Sequence, residues 1–170
     1  MKKQDHLPLY GVGPLYVYVI AALTLAAFFL RKLPVFSSGQ LEGVHTLLFI
    51  LGILLILSGV ALWIYAVPIS KIDDGIKENR LVTTGAYALV RNPIYSAAML
   101  ACTGVILMIG NAWFFPLPFL YWFFMTVLMK ATEEKWLRNL YGQEYEAYCK
   151  RVNRCWPWLA KEEKHEKISY

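Results

Sequence analysis

Along the chain, polar residues are excluded from four long apolar runs and gathered in the stretches between them. The first run extends from about Pro14 to Leu30 and stops at Arg31-Lys32. At 1.5 Å per residue a helix of that length measures roughly 25 Å, near the lower limit for crossing a bilayer. Tyr10, Tyr16 and Tyr18 crowd its start, where an interfacial aromatic belt belongs. The second run, Leu47 to Val67, is the longest, and Pro68 is expected to end it because proline cannot continue the hydrogen-bond ladder. The third begins at Pro93, a favourable first-turn residue, and reaches Ile109. The fourth extends from Ala112 to Met129, with Pro116 and Pro118 predicting a kink near its start. Only Gly110 and Asn111 separate runs three and four, which must therefore form an antiparallel helical hairpin.

Two polar regions remain. Ile69 to Asn92 is too long for a simple turn, and loops of that length in compact proteins are usually functional. Lys130 to Lys150 keeps a helical pattern, with Trp136, Leu137, Leu140, Tyr145 and Tyr148 among charges and a break at Gly142. This segment reads as a helix that leaves the bilayer and folds along its surface. The expected fold is an all-α membrane protein with four transmembrane helices plus a C-terminal cytoplasmic interfacial helix. Residues 1–170 form a single membrane domain, with a charged tail over 161–170. An even number of spans puts both termini on the side holding nearly all the lysines and arginines, which predicts a cytoplasmic location for both. The first run is read as a retained span, since it lacks the small-residue exit site of a cleaved leader.

Composition agrees with the pattern. The chain is 58% hydrophobic and only 17% charged, against about 25% for a soluble domain. The net charge of +5 does not point to nucleic acid, because from Lys130 onward nine basic residues are interleaved with seven acidic ones rather than forming a stripe. Cys102, Cys149 and Cys155 lack metal-ligand or disulfide spacing, so no metal is expected. His6, His45 and His165 lie away from the other suggestive residues and read as structural or solvated.

The hairpin brings Arg91-Asn92-Pro93-Ile94-Tyr95 near Glu133-Glu134. Taken singly, each residue has a plain explanation. Arg91 at a span boundary fixes topology, the tyrosines belong to an interface belt, and Glu134 is spaced to pair with Lys130 and Arg138 along a helix. Taken together, Gly85-Ala86-Tyr87, Arg91-Asn92-Pro93 and Tyr95, followed by Glu133-Glu134, Tyr141-Gly142, Tyr145, Tyr148, Arg151-Val152 and Trp156-Pro157, resemble a known signature. It is that of the isoprenylcysteine carboxyl methyltransferase and phospholipid N-methyltransferase families of integral membrane enzymes.

The resemblance covers about Leu81 to Trp158, and implies that residues 81–158 form a cofactor-binding methyltransferase-like core. It implies S-adenosyl-L-methionine as cofactor, held by Tyr87, Arg91, Asn92, Pro93, Tyr95, Glu133, Glu134, Tyr145 and Tyr148. Arg91 and Asn92 would stand at the reacting centre. The acceptor would be a lipidic or apolar molecule reaching the cytoplasmic face from the bilayer: an isoprenylcysteine-like carboxylate, a phospholipid amine or a thiol. Asn92 replaces the histidine of many members, which removes any titrating role there, and Ala97 stands where glycine often follows the tyrosine. Two other readings are an intramembrane NADPH-dependent reductase of a sterol-like substrate and a non-catalytic membrane module. The sequence does not specify the oligomeric state.

Overall fold

A computed structural model describes residues 11–69 and 80–156. Tyr10, His6, residues 70–79 of the Ile69–Asn92 connection and the 161–170 tail lie outside the described residues. Among the described residues the fold is helical with no strands: α1 (Gly13–Leu30), α2 (His45–Ile64), a short α3 (Ala86–Leu89), α4 (Pro93–Ile109), α5 (Pro116–Ala131), α6 (Glu133–Tyr141) and α7 (Gln143–Arg151).

Among the described residues three helical stretches are long and apolar enough to cross a membrane: Gly13–Leu30, Glu42–Val67 and Ala112–Tyr141. The apolar helix Pro93–Ile109 is shorter, at 17 residues. It is nevertheless the centre of the bundle. Helix α4 packs against α1, α2 and α5, whereas α2 rests chiefly on α4 and leaves most of its other faces exposed. The α2–α4 contact is a close backbone approach: a Cβ on Gly104 would lie 2.5 Å from the Gly52 carbonyl oxygen. Small residues at such crossings replace the hydrophobic effect, which does little between helices already in lipid.

The hairpin forms as expected. Gly110 ends α4 in the left-handed region (φ 63°), and its carbonyl accepts from Leu41 at 2.9 Å. Asn111 is fully buried there, donating to the Phe36 carbonyl at 2.7 Å and accepting from the Trp113 amide at 3.0 Å. His45 abuts Gly110 at this same end, opposite the polar foot of the hairpin.

Two expectations are corrected. Pro116 and Pro118 do not kink a continuing helix; they open α5, where a proline's missing N–H has no partner to lose. The break comes instead at Thr132 (φ −126°, ψ −88°), between α5 and α6. The Thr132 hydroxyl donates back to the Leu128 carbonyl at 2.6 Å, a bond that competes with the helical ladder. The expected break at Gly142 is present (φ 53°) and separates α6 from α7.

Candidate active site

The polar foot of the hairpin is built from the turn that precedes α4. Gly85 has φ 62° and ψ −134°, a backbone conformation that side-chain-bearing residues rarely adopt, and it starts α3. The chain then extends through Val90, which bridges in parallel to Asn153. From there the segment Asn153–Cys155 lies as a strap across the beginning of α4. Its three consecutive carbonyls are all taken: Asn153 by the Arg91 amide at 2.8 Å, Arg154 by the Asn92 side-chain amide at 3.1 Å, and Cys155 by the Ser96 hydroxyl at 2.8 Å. The Asn153 carboxamide oxygen accepts from the Cys155 and Trp156 amides and holds the strap's own turn.

Arg91 stands at the centre, with its side chain 9% exposed. One terminal nitrogen lies 3.4 Å from the Glu134 carboxylate, 3.5 Å from the Tyr145 hydroxyl and against the Cys149 thiol. Among the described residues its buried Nε has no hydrogen-bond partner. Glu134 also receives a two-pronged bond from Arg154, through Nε to Oε1 and through a terminal nitrogen to Oε2 at 3.0 Å. The long-range pairing corrects the helix-surface reading of Glu134. Neither Lys130 nor Arg138 is within ion-pair distance of it, and Arg138 pairs with Glu146.

Helix α7 roofs this cluster with Tyr145 and Tyr148, their ring centroids 6.2 Å apart. The Tyr148 hydroxyl donates to the Tyr87 carbonyl at 2.6 Å, tying the roof to α3. Burial pushes both hydroxyls above the usual tyrosine range. The Tyr141 hydroxyl is also buried without a partner among the described residues.

Glu133 faces elsewhere. Its carboxylate accepts from Tyr95 at 2.9 Å and lies against the Val12 and Gly13 amides at the start of α1. A Cβ on Gly11 would collide with Glu133, and one on Gly13 with Tyr95. Carboxylates are favoured at helix N-termini, so the residue fastens the first apolar helix to the foot of the hairpin. Of the residues singled out from sequence, Tyr87, Arg91, Asn92, Glu134, Tyr145 and Tyr148 come together. Tyr95 and Glu133 form an adjoining pair, and Pro93 is buried in the first turn of α4 between the two groups. Arg154, Ser96 and Cys149 escaped the sequence reading. No periodicity links them to Arg91; the only signal available was position, Cys149 and Arg154 inside the C-terminal block of the signature and Ser96 directly after Tyr95 in its first block.

A family model described as phospholipid methyltransferase matches residues 44–144. The chain belongs to the phospholipid methyltransferase family. Neither a curated protein nor a solved structure matches it. The match spans α2, the Arg91–Tyr95 turn, the hairpin and Glu133-Glu134, and so takes in two members of the charged cluster, Arg91 and Glu134. As a member of this family the protein is a membrane methyltransferase with lipid-like substrates. The α7 tyrosines and the strap lie beyond the matched residues.

Proposed function

We propose that the protein transfers a methyl group from S-adenosyl-L-methionine to a lipidic acceptor at the foot of the α4–α5 hairpin. In this reading α1, α2, α4 and α5 all cross the bilayer. The 17 residues of α4, about 25 Å of helix, cross it in the company of longer neighbours. Helices α6 and α7 then lie at the cytoplasmic interface. The supporting observation is Arg91, a buried guanidinium whose Nε has no partner among the described residues. A buried donor left without an acceptor is costly, and the carboxylate of the cofactor would supply one.

The residues fit the rest of the cofactor. Of the two carboxylates, Glu134 stands at this foot as an acceptor for an ammonium or ribose hydroxyls, and Tyr87, Tyr145 and Tyr148, which gather with it, offer aromatic rings to an adenine. When bound, the cofactor supplies an electrophilic methyl on a positively charged sulfur. The chain's part is alignment and exclusion of water, since displacement at a methyl carbon needs a near-attack geometry more than proton transfer. Asn92 contributes no proton; its amide holds the strap in place. The acceptor would approach from the bilayer between helices, which suits an isoprenylcysteine-like carboxylate, a phospholipid amine or a thiol.

Calorimetry on the protein in detergent tests the reading. S-adenosyl-L-methionine should bind, and Glu134→Ala should abolish that binding. Affinity for NADPH with none for S-adenosyl-L-methionine would replace the proposal with a reductase.

A further inference from the structure

We infer that Arg154 is, with Arg91, one half of a site for an anionic oxygen group. The argument begins with charge. Two guanidiniums, with side chains 9% and 18% exposed, share the single carboxylate of Glu134, itself 7% exposed. The other nearby acids are engaged elsewhere: Glu133 with Tyr95 and the start of α1, and Glu146 with Arg138. Among the described residues the cluster therefore carries one positive charge more than its acid balances. Uncompensated charge away from water is strongly unfavourable, and Arg91 Nε adds a buried donor with no acceptor.

Arg154 is not needed simply to hold the strap. Three hydrogen bonds from Arg91, Asn92 and Ser96 already pin its backbone. What the side chain adds, beyond its two bonds to Glu134, is a second positive charge beside that of Arg91, and paired guanidiniums attract the oxygens of a carboxylate or a phosphate. Two sources present that chemistry at the foot of the hairpin. One is the amino-acid end of the proposed cofactor, and the other is the phosphate of a lipid head group. The first alternative rests on the methyltransferase mechanism proposed above; the second does not.

The experiment is calorimetry on the full chain in detergent with three probes. These are S-adenosylhomocysteine, its decarboxylated analogue, and dihexanoylphosphatidic acid. Arg154→Gln should weaken either S-adenosylhomocysteine or the phosphatidic acid by about tenfold or more, the effect of losing one charge-assisted bond. The decarboxylated analogue should bind unchanged, and Arg151→Gln, on the exposed side of α7, should alter nothing. A loss confined to S-adenosylhomocysteine identifies the carboxylate as the ligand, and a loss confined to phosphatidic acid identifies the phosphate. Equal losses on all three probes, or no loss on any, would overturn the site. Failure of the wild-type protein to bind either adenosine ligand would defeat the methyltransferase mechanism while the phosphate arm still decides the anion site. If Arg154→Gln does not fold, Arg154→Lys is read in its place, with a smaller loss of the same selectivity expected.

Discussion

Glu133 and Glu134 are consecutive residues whose carboxylates serve different parts of the molecule. Glu133 meets Tyr95 at 2.9 Å beside the start of α1, and Glu134 meets Arg91 at 3.4 Å and Arg154 beneath the roof of α7. Substitutions at the two positions should therefore differ. Glu134→Ala strands two largely buried guanidiniums and should cost about 3–5 kcal/mol of stability. Glu133→Ala orphans a tyrosine hydroxyl and backbone amides and should cost about 1–3 kcal/mol. Thermal unfolding in detergent, with both variants compared to wild type, measures the difference; equal losses would contradict the division.

Gly142 offers a test of backbone conformation alone. Its φ is 53°, and a Cβ built there meets nothing within 4 Å. Gly142→Ala should destabilise the protein by about 1–3 kcal/mol through strain. Gly43→Ala is the control, since a Cβ there also meets nothing within 4 Å and its φ lies outside the positive range. It should leave the melting temperature unchanged.

The strap should loosen when its side-chain donors are removed. Ser96 is fully buried, and its hydroxyl bonds the Cys155 carbonyl at 2.8 Å. Ser96→Ala should cost about 1 kcal/mol or somewhat more, because the carbonyl is left without that donor. Combined with Asn92→Ala, it should speed proteolytic cleavage near residues 152–156 while the α4–α5 hairpin stays resistant. Mass spectrometry of the fragments reads this directly.

Alkaline pH should weaken the roof. Burial holds the Tyr145 and Tyr148 hydroxyls above the ordinary tyrosine value near 10, so folding favours their neutral forms. The stability they contribute is complete below pH of about 10 and is lost progressively as pH rises from there toward their raised native values. Unfolding followed from pH 8 to 11.5 should show this decline, and the double variant Tyr145→Phe/Tyr148→Phe should flatten it.

Much of this architecture was legible in the sequence because membrane helices announce themselves by composition. Pro93 and Ile109 bound α4 as expected, and the two-residue Gly110-Asn111 turn could make nothing but a hairpin. Family membership was legible too, through Arg91-Asn92-Pro93 and Glu133-Glu134. The break at Thr132 was not, because a threonine hydroxyl bonding back to Leu128 leaves no mark in the hydropathy pattern. The prolines at 116 and 118 misled for a related reason: whether a proline kinks or begins a helix depends on where the preceding turn stops. Glu134 was read locally, with Lys130 and Arg138 at helical spacing, whereas its partners come from 43 and 20 residues away in sequence. Spacing rules see only one helix at a time, and this cluster is assembled from three separate segments.

The strap also sets a schedule for biosynthesis. Asn92 finds its carbonyl partner 62 residues further along the chain, after both arms of the hairpin and two more helices have been made. The hairpin can form while its foot is still open. Only when Asn153 to Cys155 arrive are Arg91, Asn92 and Ser96 covered, so a chain halted before that point would hold the hairpin without its strap.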